Sequence, residues 1–402
     1  MRYALAITGL LAAPLAGAVE WSGYVAGEAR LFPSAPLDDR QHDGNLSLSF
    51  QPEAYHEWDD GSSALFVPFL RIDQHDAERT HFDVREAFWR KSWDEWELRL
   101  GLRKVYWGVT ESQHLVDIIN QTDMVESFDG EEKLGQPMIN AAWVNDWGTL
   151  DFFVLPGFRE RTFAGTRGRL RTPLPLDEDA AEYESGAERA HVDYALRYSH
   201  YVGNWDFGLS HFYGTSREPR LKPTLDNLQL KLAPYYDLIH QTGVDVQYTN
   251  GSWLLKFEGI RRSGQGETYG AITTGLEYTF YQVFKSDADL GVLFEYLYDS
   301  RGGNSLDLKT LFDGATLSPF ENDIFLGARF SLNDIQSTML LAGAIIDTGS
   351  GAVAFGLEGE RRLGENWKLS IEARIFANVP QEDPLTYIRK DDFLQVELAY
   401  YF

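Results

Sequence analysis

The sequence contains no cysteine and far fewer basic than acidic residues. Without Cys the chain has neither a disulfide framework nor a thiolate metal site. Lys and Arg number 36 against 61 Asp and Glu, so the formal net charge is -25 at pH 7. Nucleic acid is bound through cationic side chains placed against its phosphates. We therefore expect no nucleic-acid partner.

The sequence also lacks an apolar run long enough for a membrane-spanning helix, which needs about 20 residues. The N-terminal stretch MRYALAITGLLAAPLAGAVEW has one early cation, Arg2, and a short apolar run that ends at Leu15. Small residues follow at Ala16, Gly17 and Ala18. This pattern is typical of a secretory signal peptide. It predicts that residues 1–18 are cleaved and that 19–402 form the mature chain.

Aromatic residues are abundant, at 14% of the chain, which is too many for a disordered protein. Segments that alternate apolar and polar residues recur throughout. In one of them Trp253, Leu255 and Phe257 share one parity, and Lys256 and Glu258 share the other. A period of two is the side-chain period of a β-strand. The pattern predicts an all-β chain whose strands each have one apolar and one polar face.

The connections distinguish a soluble sandwich from a membrane barrel, since the strands of both alternate. Short turns occur at every second junction, and mostly longer polar connections lie between them. Short turns on one side and long loops on the other are typical of barrels of the bacterial outer membrane. The sequence therefore predicts a single closed antiparallel up-and-down transmembrane β-barrel of about 18 strands, roughly 16–18, in the Gram-negative outer membrane. The long connections are predicted at 32–43, 74–80, 109–136, 158–188, 215–235, 262–268, 300–320 and 378–392.

Aromatic residues near strand ends are expected to form the two interfacial girdles of such a barrel. The residues assigned to them are Trp21, Trp96, Trp143, Trp205, Trp253, Trp367 and Tyr400.

The segment LQVELAYYF, residues 394–402, resembles the closing strand of Gram-negative outer-membrane proteins. The resemblance implies that Tyr400 and Phe402 belong to a signal read by the barrel-assembly machinery.

The stretches GLRKVYWG, residues 101–108, and DIINQTD, residues 117–123, are similar to a pattern in a porin-like family of largely uncharacterised outer-membrane barrels. Gln121 stands where that family usually has Pro. The resemblance implies a porin-like class and no particular substrate. The positions that fit the pattern are Gly101, Arg103, Trp107, Gly108, Asn120 and Asp123.

The 109–136 connection is both acidic and partly apolar, which favours a loop that folds inward and narrows a pore. The alternative is a solvated surface loop, although apolar residues are unusual in an exposed loop tip. Arg99 and Arg103 lie on the polar parity of the preceding strand and are expected to form a positive strip opposite the loop acids. The predicted pore residues are Arg99, Arg103, Glu111, His114, Asp117, Asp123 and Glu126.

The predicted function is an outer-membrane porin or channel for diffusion of small hydrophilic solutes, weakly cation-leaning. Its expected partners are outer-membrane lipids and lipopolysaccharide, the barrel-assembly machinery and small solutes. The alternative is a gated or plugged conduit for apolar or lipid-like molecules that works with periplasmic partners. Apolar residues on the lumen parity favour that alternative: Leu254, Leu293, Leu297, Met339, Leu341, Ile345 and Phe376.

An adjacent Ser–His pair and a basic segment are two further features of the sequence. Ser210 and His211 are adjacent on a predicted strand, so their side chains point to opposite faces and cannot form a nucleophile–base pair. No hydrolase or metal motif occurs, so we predict no enzyme, catalytic residue, cofactor or metal. The basic segment 159–171 is expected to meet lipopolysaccharide phosphates or an anionic solute, or to be neutralised by the acids of 177–184.

Overall fold

The computed structural model describes residues 18–226, 228–302 and 320–402. Nearly all of the predicted signal peptide and most of the predicted 300–320 connection lie outside these residues. The cleavage after Ala18 therefore stays a prediction.

The described residues form twenty-one strands, and the segments with a period of two are the ones that build the wall. The strands are β1 (Glu20–Leu31), β2 (Gly44–Glu57), β3 (Ser63–Asp73), β4 (His81–Trp93), β5 (Trp96–Arg103), β6 (Gln136–Asn145), β7 (Gly148–Pro156), β8 (Glu182–Tyr183), β9 (Val192–Val202), β10 (Trp205–Thr215), β11 (Arg220–Asp226), β12 (Gln229–Tyr236), β13 (Leu238–Asn250), β14 (Trp253–Gly264), β15 (Gly266–Phe280), β16 (Asp289–Asp299), β17 (Asn322–Ser331), β18 (Met339–Asp347), β19 (Val353–Leu363), β20 (Trp367–Ala377) and β21 (Phe393–Tyr401). Short 3-10 helices lie at Glu178–Ala180, Glu188–Ala190, Val283–Lys285 and Pro384–Ile388.

Eighteen of these strands form one closed antiparallel sheet. Each wall strand pairs with the next along the chain, and β21 pairs with β1 in a register that sets Ala399 opposite Ala26. The remaining strands, β8, β11 and β12, form a small separate sheet within the long connections. The predicted all-β fold and the strand number are thus confirmed.

The two faces of the wall differ sharply in polarity. On β2 the outward side chains of Leu46 and Leu48 are 58% and 53% exposed, whereas the inward Ser47 and Ser49 are buried. Large apolar side chains are exposed in the same way around the barrel. Such a continuous apolar surface is far larger than a soluble monomer normally exposes. Within the described residues, no helix has the length and apolar character needed to cross a membrane.

The aromatic residues assigned to two girdles all lie at one end of the barrel, so that assignment was wrong. Trp96 stacks on Trp143 with ring centroids 5.6 Å apart, next to the short turns between β4 and β5 and between β6 and β7. Trp367 and Tyr400 are register partners beside the turn between β19 and β20. The other assigned residues lie at the same end, and Trp21, near the start of β1, is placed there by its pairing with β2 close to the turn between β2 and β3. A position near the end of a strand in the sequence does not show at which end of the barrel the residue lies.

The long connections gather at the other end, with one departure from the prediction. The connection between β14 and β15 is a tight hairpin, since Gly264 pairs with Gly266. The connection between β18 and β19 is short, as the sequence indicated. Of the longest described connections, 104–135 folds into the barrel interior, and 157–191 and 216–226 contact it from the long-loop end.

Candidate pore

The connection between β5 and β6, residues 104–135, lies inside the barrel and is called the inner loop below. Its apolar residues Val116, Ile118 and Ile119 are at most 2% exposed. They belong to one buried cluster with inward side chains of the wall, among them Phe153 on β7 and Phe212 on β10. Burial of this apolar side fixes the position of the loop against β6 to β15.

Asn120, one of the positions that fit the porin-like sequence pattern, holds the base of the inner loop. The Asn120 side chain donates to the carbonyl oxygens of Arg103 and Leu134 at 2.7 and 2.8 Å, and it accepts from the Val105 amide at 2.8 Å. One side chain thereby joins the two ends of the loop. Gln121, at the position where the family usually has Pro, is fully buried and accepts from the Arg161 guanidinium at 3.3 Å.

Two wall carboxylates hold the far side of the inner loop. Glu258 on β14 is fully buried and accepts from the amides of Val109 and Thr110 at 2.6 and 3.0 Å, and from the Val116 amide at 3.2 Å. Glu295 on β16 accepts from the amides of Glu111 and Ser112, each at 2.8 Å. Hydrogen bonds from backbone amides to a carboxylate are of the strong, charge-assisted kind.

Asp123 and Glu126 fasten the loop to the near wall rather than face open space. Asp123 is fully buried, where it pairs with Arg85 on β4 and accepts from the Thr162 hydroxyl at 2.6 Å. Glu126 pairs with Arg71 on β3 at 2.8 Å. Removing one partner of a buried ion pair costs about 3–5 kcal/mol. These acids are therefore anchors of the inner loop.

Glu111, His114 and Asp117 line the remaining open space. Glu111 pairs with Arg329 on β17 at 2.6 Å and lies 3.6 Å from Lys256 on β14. Asp117 pairs with Lys133 within the loop at 3.3 Å. Burial raises the pKa of Asp117, although the charge of Lys133 opposes that shift.

The structure does not bring Arg99 and Arg103 against the acids of the inner loop. Both face the lumen, as the alternation indicated, but each donates to the Asn140 side chain of β6 at 3.0 Å. Neither lines the cavity described below. The inner loop leaves β5 directly after Arg103 and crosses to other strands, so its acids meet Arg71, Arg85 and Arg329 instead.

A cavity of about 1010 Å³ remains between the inner loop and the wall strands β14 to β20. Its described lining includes seven acidic and eight basic side chains, so its fixed charge is nearly balanced. On the loop side the predicted pore residues did not include Asp129, Glu131 or Lys133, although the first two belong to the predicted acidic loop. On the wall, alternation places Lys256, Arg329 and Arg374 on the polar face of their strands, but nothing in the local sequence distinguishes them from other inward charges.

Opposite charges meet where the inner loop approaches this wall, and we call this group the charged rim. Arg374 pairs with Asp129 at 2.6 Å and with Glu358 at the same distance. His114 lies 2.9 Å from Glu131. The charged rim comprises Glu111, Asp129 and Glu131 on the inner loop with Lys256, Arg329 and Arg374 on the wall.

The basic segment 159–171 is neutralised mainly by acids other than the neighbouring ones. Arg159 pairs with Asp83 at 2.7 Å and Arg169 with Asp391 at 2.8 Å. Arg171 pairs with Asp38 at 2.6 Å. The segment thus joins two other connections, through Asp38 and Asp391, to strand β4, through Asp83. The charge pattern along the sequence does not reveal these partners.

Ser210 and His211 do point to opposite faces, since Ser210 is buried inside and His211 is exposed outside. In the part of the chain that the structure covers, no three His, Asp or Glu side chains are grouped to hold a metal ion.

No family model matches this chain, and no curated protein matches it. Solved structures similar to it include variants of the Rhodopseudomonas blastica porin. One triple mutant has 11% identity and a TM-score of 0.43, and the match covers 96% of this chain and 100% of that one. Another has 13% identity, a TM-score of 0.45 and the same coverage. At these values the similarity carries no argument about function.

Proposed function

We propose that this chain is a channel of the Gram-negative outer membrane through which small hydrophilic solutes diffuse. The observation that carries the proposal is the charged cavity of about 1010 Å³ inside a closed barrel with an apolar outer face. Only a closed sheet satisfies its backbone hydrogen bonds in lipid. Barrels of about 16–18 strands leave room for an aqueous channel.

The inner loop is the element proposed to narrow this channel. Glu258 and Glu295 hold it against the wall, and its free side forms part of the charged rim. The nearly balanced lining predicts weak selectivity. The net charge of -25 on the whole chain adds a cation-attracting field at the mouths, so we keep a weak cation preference as part of the proposal.

Localisation and assembly follow from the same proposal. After signal-peptide cleavage the barrel-assembly machinery inserts the chain, with Tyr400 and Phe402 as part of the recognised segment. The apolar outer face then meets outer-membrane lipid, and lipopolysaccharide surrounds the long-loop end.

The proposed channel function is tested by measuring ionic conductance. Purified protein added to a planar lipid bilayer is expected to give stepwise increases of conductance in simple salt. A bilayer that stays silent, with protein shown to be inserted and folded, would contradict the proposal.

A second candidate, the gated or plugged conduit for apolar molecules, is favoured by one specific observation. Leu293, Leu297 and Phe325 form a buried apolar cluster on the lumen side of β16 and β17, with Phe320 and Ile345 packed against it. This candidate predicts a silent bilayer together with saturable binding of a fluorescent fatty acid by the purified barrel. Conductance steps without fatty-acid binding would exclude it.

A further inference from the structure

At the long-loop end of the cavity, three arginines from separate parts of the chain surround a single carboxylate. Arg161 comes from the connection after β7, Arg262 from β14 and Arg301 from the residues after β16. The carboxylate is Glu218, in the connection after β10. We call Arg161, Arg262 and Arg301 the arginine cluster.

The geometry of the arginine cluster centres on one oxygen of Glu218. Arg262 Nη1 donates to Glu218 Oε2 at 2.9 Å, and Arg301 Nη1 lies 4.0 Å from the same oxygen. The guanidinium of Arg301 lies over the Tyr269 ring, 3.9 Å from its centroid. An aromatic face beneath a guanidinium holds its plane in a fixed orientation.

The cluster carries more positive charge than its partners neutralise. Arg161 forms no ion pair within the described residues, and its Nε donates only to the Gln121 amide oxygen at 3.3 Å. Arg301 pairs with Asp299, but its Nη1 is buried without a hydrogen-bond partner among the described residues. A buried donor without a partner costs free energy that an added acceptor would recover.

Glu218 is held in place by its backbone, while its carboxylate stays accessible. Its amide donates to the Ser216 hydroxyl at 3.2 Å, and its carbonyl accepts from the Gln265 side chain. Its side chain is 45% exposed, and it lines the cavity. Partial loss of water around Glu218 inside the cavity raises its pKa, but the charges of Arg262, Arg301 and Arg161 outweigh this and lower the pKa to about 2.

We propose that the arginine cluster is a binding subsite for a solute that carries a carboxylate, and that Glu218 occupies this subsite when no solute is bound. Guanidinium groups pair bidentately with carboxylates, and Arg161 and Arg301, which both have donors to spare, line the same cavity. This inference rests on the proposed channel function, because the solute reaches the subsite from the cavity.

The test is current block by succinate in single-channel recordings, with the dissociation constant also measured by calorimetry on detergent-purified protein. Arg262→Gln and Arg301→Gln are each expected to weaken succinate binding by about tenfold or more. Glu218→Gln removes the internal competitor and is expected to strengthen binding by about tenfold. Arg40→Gln removes an exposed guanidinium that pairs with Asp38 on an outer connection, and it should change nothing.

The outcomes separate this proposal from the channel function. Conductance without any effect of succinate, and no heat of binding, overturns the subsite and leaves the channel intact. A silent bilayer contradicts the channel, yet calorimetry still tests the subsite. Weaker binding in Glu218→Gln would mean that Glu218 is structural, and tighter binding of inorganic phosphate than of succinate would overturn the carboxylate assignment.

Discussion

His114 is the titratable residue of the inner loop best placed to make the proposed channel sensitive to pH. Its Nδ1 lies 2.7 Å from the Tyr106 hydroxyl, and its Nε2 lies 2.9 Å from Glu131. Burial disfavours the charged imidazole, but the hydrogen bond and charge of Glu131, with Glu258 and Asp117 nearby, give a net rise of its pKa. The imidazolium therefore persists to higher pH than the ordinary value of about 6.5.

Raising the pH is expected to increase the cation preference of the channel. As the pH rises through the raised pKa of His114, the cavity loses one positive charge and Glu131 loses its ionic partner. The measurement is the reversal potential in a salt gradient between about pH 5 and pH 9. His114→Gln should flatten this dependence, and an unchanged pH profile in that variant would assign the titration to another group.

Glu258→Gln and Glu295→Gln are expected to loosen the inner loop, because a neutral amide accepts weaker hydrogen bonds than a carboxylate. Hydrogen bonds to charged groups contribute about 1.5–3 kcal/mol each. We expect noisier open-channel current and a larger mean conductance. Glu267→Gln, at an exposed position in β15, is the control for charge alone. Equal noise in all three variants would show that the wall carboxylates do not hold the loop.

At the scale of one element, the inner loop depends on a glycine that the sequence pattern singled out. Gly108 has a φ of +139°, and a Cβ added there would lie 2.9 Å from Glu258 Oε1 and 3.3 Å from His114 Nδ1. Gly108→Ala should thus displace the carboxylate that holds the loop and raise current noise. Gly130→Ala is the matched control, since Gly130 also has a positive φ, of +85°, but its nearest contact would be 3.6 Å away. A quiet Gly108→Ala channel would contradict this account.

The sequence was sufficient to predict the direction of side chains but not the partners of the inner loop. The alternation of apolar and polar residues was enough to predict that Arg99 and Arg103 face the lumen. The number of strands was predicted from the same alternation. The pairing of Glu111 with Arg329 joins residues 218 positions apart. It arises because the loop crosses the lumen, a path set by tertiary packing of Val116 and its neighbours. The ion pairs of Asp123 and Glu126 with the wall depend on the same path of the loop across the lumen.

At the scale of the whole molecule, the absence of cysteine allows the orientation of the wall to be tested one residue at a time. Ser370 and Ile371 are neighbours on β20, and their register partners indicate an inward and an outward side chain respectively. A water-soluble maleimide should modify Ser370→Cys in liposomes far faster than Ile371→Cys. A bimane probe at position 371 should be quenched by brominated lipid. Equal maleimide rates would contradict the proposed orientation in a membrane.

The central claim is that the inner loop and the facing wall form the charged narrow part of an open channel. Its most direct test is the reversal potential at low salt, where the Debye length is about 30 Å at 0.01 M and fixed charges are little screened. Neutralising Glu111, Asp129 and Glu131 together is expected to shift selectivity toward anions. Neutralising Lys256, Arg329 and Arg374 is expected to shift it toward cations, and both shifts should vanish at about 1 M salt, where the Debye length is about 3 Å. Shifts of the same sign, or none in a conducting channel, would contradict the claim.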